Sequence, residues 1–552
     1  MLNVNRVGCA PGAWSSRLFV ALTLTFAACG SSGAADNGAS NSLKALDTLQ
    51  WRPALHYTPQ RNWMNDPNGL VYYKGIYHLF YQYNPEGNVW GNMSWGHATS
   101  RNLLDWVEQP VALAANRTEE VFSGSIVVDA HNTSGLGSAA LPPLVALYTS
   151  VYKPGSGHEP GVQAQSLAYS TDEGKTWRRY AHNPVLTLDP ESSHFRDPKV
   201  SWYAPGGYWL MCAVVADAHV VKLYRSSNLI DWTFLSDFTL PDIPHHGALW
   251  EMPDLLPLPL DGNPANEKWV MIVNVNPWSI AGGSGAMYFV GRFDGTRFVP
   301  DDVAPAGSDP VRWQWLDHGA DYYAAGTFSN APGGKTVAIG WMGNWDYAND
   351  VPTTPWRGAM ALPRELALKT VDGRPQLVFA PTESYASLVG RSPTTRIAQV
   401  GLVSSTQALP AVTRGVVQNI ELTIEPGSAH RAGLVVRSSA DGATGTRIFY
   451  DTQAQTLTVD RSHAGDTSFS RAYSPQHIAN LPLHDGRLRL RVVVDRASVE
   501  VFADDGRAVV TDLILPTLAD DRVSLFAEGG DASFRDIAVS DLSRMRQGRP
   551  HP

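Results

Sequence analysis

Cysteine is almost missing from this 552-residue chain: there are three, Cys9, Cys29 and Cys212. So few thiols exclude a disulfide framework and a thiolate zinc site. Charge is sparse as well, at 17% of residues, and the balance is mildly acidic (formal net charge -9), which argues against nucleic acid as a partner. No run beyond the N-terminus is long and apolar enough to span a bilayer, and no long amphipathic helical pattern occurs. With 43% hydrophobic residues the chain is nonetheless globular, and its length allows two or three domains. What is abundant is aromatic and turn-forming: 18 Trp, 20 Tyr, 48 Gly and 38 Pro. Flat rings can stack on the apolar faces of sugars or can simply pack the core of a large β-protein, and composition alone leaves both open.

The N-terminus reads as a targeting segment. Arg6 and Arg17 precede an apolar stretch at residues 18–28, which suits a signal-peptide core and is too short to cross a membrane. Phe26-Ala27-Ala28-Cys29 resembles a bacterial lipoprotein box, except that Phe26 stands where such boxes usually carry Leu. Two outcomes follow. Either residues 1–28 are removed, Cys29 is lipidated and residues 29–50 form a flexible tether to the membrane, or a plain signal peptide is cut near Ala35. Both imply export, to the periplasm, the medium or the bacterial cell envelope. Cys212, inside the apolar run 209–215, reads as a buried core thiol.

A short motif recurs along the first half. Ser100-Arg-Asn-Leu-Leu-Asp-Trp106 returns as Ser226-Ser-Asn-Leu-Ile-Asp-Trp232, with a cousin, Ser170-Thr-Asp-Glu-Gly-Lys-Thr-Trp177, between them. Each follows a β-rich run and supplies a polar turn closed by Trp. Short apolar strands such as 76–83, 144–150, 269–274 and 336–341 lie between turn signals. Repeated turns spaced by short strands predict an all-β fold whose residues 51–370 form a five-bladed β-propeller, a β-sandwich with similar turns being the alternative. Residues 371–400 read as a linker. Beyond it, strands at 417–424, 432–437, 446–450, 457–460, 488–494, 498–502 and 509–515 predict a β-sandwich over residues 401–545. Arg487-Leu-Arg-Leu-Arg-Val-Val-Val494 reads as an alternating strand with one buried and one wet face, and Asp505-Gly506 marks a hairpin.

Three acidic constellations stand out. In Trp63-Met64-Asn65-Asp66-Pro67-Asn68-Gly69, Pro67 removes a donor and Gly69 permits a sharp turn, so Asp66 is expected at a fixed strand edge or turn. In His194-Phe195-Arg196-Asp197-Pro198-Lys199, an Asp between two cations is expected to stay ionised. In Trp250-Glu251-Met252-Pro253-Asp254, a Glu between Trp and Met is poised for desolvation, which suits a general acid. Two carboxylates of low pKa and one of raised pKa, beside Trp, are what a glycosidase requires.

The sequence resembles glycoside hydrolase family 32, the β-fructofuranosidases, levanases and inulinases. The resemblance runs from about Trp51 to Leu542 through the three constellations, Gln82-Tyr-Asn-Pro85, Trp95-Gly-His97, Phe122-Ser-Gly-Ser125, Asp321-Tyr-Tyr-Ala324, Trp341-Met-Gly-Asn-Trp345 and Leu362-Pro-Arg-Glu365. It implies a propeller followed by a sandwich and an exo-acting, retaining hydrolase of levan, inulin and sucrose that needs no metal or cofactor. By motif, Asp66 resembles the nucleophile, Glu251 the acid/base and Asp197 the transition-state stabiliser. Asn65, Gln82, Trp90, Phe122, Ser123, Ser125 and Arg196 resemble contacts to the terminal fructose, with Trp63 and Trp345 as pocket walls. Met252 stands where many relatives have Cys. Two rivals weigh less. Residues 170–177 match the Asp-box turn of sialidases, but no arginine triad or Tyr nucleophile signal accompanies it. A non-catalytic sugar-binding protein has no need of all three acids.

Overall fold

The computed structural model describes residues 49–138, 140–240, 248–303 and 308–544. The expected signal peptide, Cys29 and nearly all of the 29–50 tether lie outside the described residues. Among them the fold is almost entirely β, with a single α-helix, Glu383–Arg391, and a few 3-10 turns. Among the described residues no helix is long and apolar enough to cross a membrane.

Seven sheets account for the strands. Five come first, and each is an antiparallel meander of four main strands. Their first strands are Asn62–Tyr73, Glu119–Val128, Phe195–Tyr203, Leu249–Pro259 and Tyr323–Thr327. Each first strand touches the next, and the fifth returns to the first, so the five close a ring. A late segment seals it. Trp356–Arg357 adds in parallel to the first strand of sheet one, and Ala359–Met360 pairs within sheet five.

The recurring Trp turn occupies one place in three successive sheets, the link from third to fourth strand. In the first copy Asn102 Oδ1 accepts from the backbone N–H groups of Leu104 and Asp105, Leu103 adopts φ 64°, and Trp106 Nε1 donates to Leu103 O. Asn228, Leu229 and Trp232 repeat the pattern. In the cousin, Asp172 accepts from Thr176 N, and Trp177 donates to Gly174 O. A side chain that bonds backbone two and three residues on mimics a turn, and the closing indole caps the sheet edge.

Two six-stranded sheets follow and share one core, in which Ile420, Leu422 and Val492 of one face Leu434, Ile448 and Leu525 of the other. Residues 371–400 are not the linker the sequence suggested. Arg374–Pro381 is the last strand of sheet five, the helix follows it, and Thr394–Val403 is already an edge strand of the sandwich. The helix carries Glu383 in its first turn and Arg391 in its last, complementing its dipole, and stops before Pro393.

The alternation expected around 488–494 holds only in part. Arg489 is exposed and Arg491 half-buried, but Val493 is fully buried, because the sandwich turns this face towards the ring. Val493, Phe502 and Val509 pack with Leu256, Leu258, Leu366 and Leu377 of the ring. Each such side chain contributes about 2 kcal/mol by leaving water. Close approach also explains Gly506, where a Cβ would stand 1.8 Å from Phe379 O and where φ is 83°.

Candidate active site

All five first strands break register with their neighbours. The shifts fall between Met64 and Pro67, Phe122 and Gly124, Glu251 and Asp254, and Tyr323 and Gly326, and in sheet three opposite Arg196 and Lys199. A bulge re-aims the side chains around it, and here the displaced stretches carry Asp66, Ser123, Asp197, Met252 and Ala324. Pro67, Pro198 and Pro253 fit such breaks because no ladder N–H is required there. Asp197, Met252 and Ala324 adopt φ of 60°, 48° and 52°, conformations that cost non-glycine residues about 1–3 kcal/mol each and that gather at functional sites.

Asp66 is held from two sides: Asn65 Nδ2 donates to one carboxyl oxygen (2.9 Å) and Ser123 Oγ to the other (2.8 Å). Asn65 is itself fixed by Trp63 Nε1 (2.8 Å). On Glu251, Arg196 Nε and Nη2 reach one oxygen at 3.1 and 3.0 Å, and the Tyr323 hydroxyl donates to the other. Asp197 is buried beneath them, accepting from Met252 N at 3.0 Å, while its own N–H donates to Thr149 Oγ1 at 3.0 Å. Because Met252 contributes its backbone, this bond does not depend on Met or Cys standing there.

One guanidinium answers Glu251 and Asp197, while Asp66 has two neutral donors. Burial pushes the Asp66 carboxyl up to about 6, the charge of Glu251 adds to this, and the bonds from Asn65 and Ser123 only partly offset it. Burial likewise raises Asp197, to about 7, against the pull of Arg196, with Glu251 and Asp66 reinforcing the rise. The expectation that Asp66 and Asp197 have low pKa values is therefore reversed. Arg196 turns to Glu251 and stays 3.9 Å from Asp197. Lys199 points away, to Thr327 O (2.5 Å) and Asp254 (3.0 Å).

Aromatic rings cluster beside the acids, but Trp63 is fully buried, so it backs Trp345 and is not the pocket wall the sequence suggested. Trp63 stacks on Trp345 (centroids 5.8 Å, 26°), and Trp341 packs against both. Trp90 stands edge-on to Phe122 at 6.0 Å and is 44% exposed. Gln82 is buried and donates to Val121 O, alongside the strand that bears Ser123. Ser125 faces the neighbouring sheet: its hydroxyl donates to Pro198 O and accepts from Val200 N. Tyr323 lies in the Asp321-Tyr-Tyr-Ala324 motif, to which the sequence attaches no role. Its contact with Glu251 depends on sheets four and five meeting, which no local pattern shows. Cys212 is a core thiol among Leu210 and Val214. Among the described residues, no group of three or more His, Cys, Asp or Glu is arranged to hold a metal ion.

Carboxyl groups converging from bulged strands, one of them gripped by Arg and Tyr beside a tryptophan wall, define a glycoside hydrolase site. The chain belongs to glycosyl hydrolase family 32, whose N-terminal domain matches residues 56–381 and whose C-terminal domain matches residues 384–541. It is 42% identical to a levanase of Bacillus subtilis (strain 168), over 90% of this chain and 71% of that one. It is 41% identical to an extracellular exo-inulinase of Aspergillus ficuum, over 89% of this chain and 95% of that one. The crystal structure of exo-inulinase from Aspergillus awamori superposes with a TM-score of 0.82 at 39% identity, covering 89% of this chain and 97% of the other.

Proposed function

We propose that the enzyme is an exo-acting, retaining β-fructosidase that releases terminal β-D-fructofuranosyl units from levan and inulin and cleaves sucrose. Asp66 attacks the anomeric carbon as the glycosidic bond breaks, and Glu251 gives its proton to the leaving oxygen. Water then displaces Asp66, giving its proton to Glu251 and freeing fructose. Asp197, fixed by Met252 N, grips ring hydroxyls while positive charge develops. The observation that carries the reading is the division of labour in the geometry: Asp66 held by two neutral donors, Glu251 by Arg196 and Tyr323.

The ring of five sheets is read as a five-bladed β-propeller, supported by the closed cycle of first strands and the late segment that seals it. Exposed Trp90 and half-buried Trp345, the latter backed by buried Trp63, suit a pocket for a single terminal furanose rather than an open groove. The N-terminal 28 residues fit export, with Cys29 as the candidate lipid anchor. Neither the role assignments nor the retaining steps require a metal or cofactor.

A time-resolved product profile on inulin and levan tests the exo reading. Free fructose should dominate from the earliest points with little loss of viscosity. Fructo-oligosaccharides of intermediate length appearing first would overturn it.

A further inference from the structure

Among the sandwich groups that meet the ring of five sheets near the site, one buried side chain bonds two of its segments at once. Arg461, on sandwich strand Thr456–His463, is fully buried. Its Nη1 donates to Asp321 Oδ2 at 2.7 Å and to Leu513 O at 2.9 Å, and its Nη2 donates to the Tyr347 hydroxyl at 3.1 Å. That hydroxyl in turn donates to Asp321 Oδ1 at 2.7 Å, closing a three-membered polar ring. Leu513 N adds a further bond to Asp321 at 2.8 Å, and Asp321 N donates to Thr511 O. The guanidinium lies 3.8 Å over the Tyr473 ring, which with Phe469 packs edge-on to Tyr347.

Two site residues hang from this ring. Asp321 is two residues before Tyr323, whose hydroxyl meets Glu251. Tyr347 is two residues after Trp345, which stacks on Trp63 and is pinned through its backbone N–H to Ser284 Oγ at 3.0 Å. Both Asp321 and Tyr347 are buried, so neither is free to settle elsewhere.

We propose that Arg461 is a positioning residue for the reaction: by bonding Asp321 and Tyr347 at once, the sandwich sets the hydroxyl that holds Glu251 and the ring that walls the pocket. The two arms act on different steps. The Asp321 arm governs the orientation of the acid, which matters as the bond breaks, and the Tyr347 arm governs the wall, which matters as the sugar binds. A sandwich that served only to stabilise the fold would show no such division.

The inference rests on the fructosidase reading, which wild-type release of fructose from inulin tests separately. Tyr347→Phe keeps the ring and removes the hydroxyl. It should raise KM about five- to tenfold with a smaller loss of kcat, because the hydroxyl that accepts from Arg461 also donates to Asp321. Asp321→Asn should lower kcat about tenfold with a smaller effect on KM. Arg461→Lys, which can restore one of the two bonds but not the fork, should show part of both effects. Tyr385→Phe is the control: it removes a buried bond from the helix between the domains to Asn419 of the sandwich and leaves Arg461, Asp321 and Tyr347 untouched. It should lower the melting temperature and leave kcat and KM alone. If Tyr347→Phe and Asp321→Asn, both folded by near-ultraviolet circular dichroism, keep kcat and KM within twofold of wild type, the sandwich does not position the site. Tyr347→Phe alone decides the matter if the charged-residue variants do not fold.

Discussion

Where the sandwich meets the ring, Asp317, Asp495 and Glu500 are buried at least as deeply as Asp66 and Asp197 are in the site. Each junction carboxylate has a cation. His56 bonds Asp495 at 2.8 Å and Glu500 at 2.7 Å, while Arg364 bonds Asp317 at 2.8 Å and Glu500 at 2.7 Å. Backbone N–H groups of Ala54 and Leu55 complete Asp495. Burial alone would raise Glu500, but Arg364 and His56 hold it down at about 2. Burial opposes charge on His56, yet its two carboxylate partners carry it up to about 9. In the site the same burial wins, and Asp66 and Asp197 rise instead. The reason is that Arg196 turns to Glu251 and stays 3.9 Å from Asp197, while Asp66 is held by the neutral donors Asn65 and Ser123. Burial is common to the two clusters, and the supply of countercharge separates them. The junction is satisfied and serves the fold. The site is left short of positive charge, which suits a centre that must shuttle a proton and meet a cationic transition state.

Exchanging the acids for amides should break the comparison most sharply. Asp66→Asn and Glu251→Gln should each lower turnover by roughly a thousandfold or more with the fold intact, as expected when a group acting in the transition state is lost. Glu500→Gln should do the reverse. Leaving Arg364 and His56 underpaired should cost about 3–5 kcal/mol in chemical denaturation, with kcat retained at temperatures where the protein is folded. A Glu500→Gln enzyme that is folded but as inactive as Glu251→Gln would dissolve the distinction.

The pH dependence should separate the regions next. His56 is raised above its unfolded value of 6.5, so its stabilisation is complete below about pH 6.5 and is lost as pH climbs through about 9. Glu500 is depressed below 4.5, so its stabilisation holds above about pH 4.5 and is lost as pH falls through about 2. As the proposed nucleophile, Asp66 has to be ionised to attack, so kcat/KM should fall as pH drops through about 6. Because Asp66 and Asp197 repel one another, the acid limb belongs to the pair, and it should sharpen and move to lower pH in Asp197→Asn. An acid limb at the ordinary carboxylate value near 4 would contradict the underpaired site.

Much of this was legible in the sequence where chemistry is written in consecutive residues. The Asp-Pro and Glu-Met-Pro segments, the Trp turns and the strand alternation named the acids and the all-β architecture. What failed was inference from neighbours to partners. Arg196 and Lys199 flank Asp197 in the chain, but side chains of a strand alternate between faces, and the bulge at Asp197 redirects them further. Arg196 crosses to Glu251 in sheet four and Lys199 to Thr327 in sheet five. The hydroxyl of Ser125 ties its strand to the next sheet through Pro198 O and Val200 N, a partnership no local pattern shows. The 371–400 segment looked like a linker because its signals are weak: an outer strand with exposed Arg374 and Ala380, a nine-residue helix, and an edge strand whose partner, Asp531–Asp541, lies far ahead in the chain. The pairing of His56 with residues more than 400 positions away leaves no local trace at all.

The smallest expected effect is a gain. Asp66 has a folded pKa of about 6, above its unfolded value of 3.8. The native state therefore holds this proton more tightly than the unfolded chain. Stability from Asp66 is fully present below about pH 4 and is lost as pH rises through about 6. At neutral pH the ionised carboxylate is thus a burden on the fold, on the order of 2–3 kcal/mol, since a tenfold change in proton affinity is worth about 1.4 kcal/mol. An amide at the same position carries no charge to desolvate. Its oxygen can still accept from Ser123, although its amine meets the donor on Asn65 less favourably, which trims the gain. Asp66→Asn should therefore melt higher than wild type at pH 7.5, and the two curves should meet near pH 4. The junction supplies the opposite sign: Glu500→Gln should melt lower at pH 7.5. If Asp66→Asn were destabilised at pH 7.5 as Glu500→Gln is, the site would be as well paired as the junction, and the cost assigned to its missing countercharge would have to be given up.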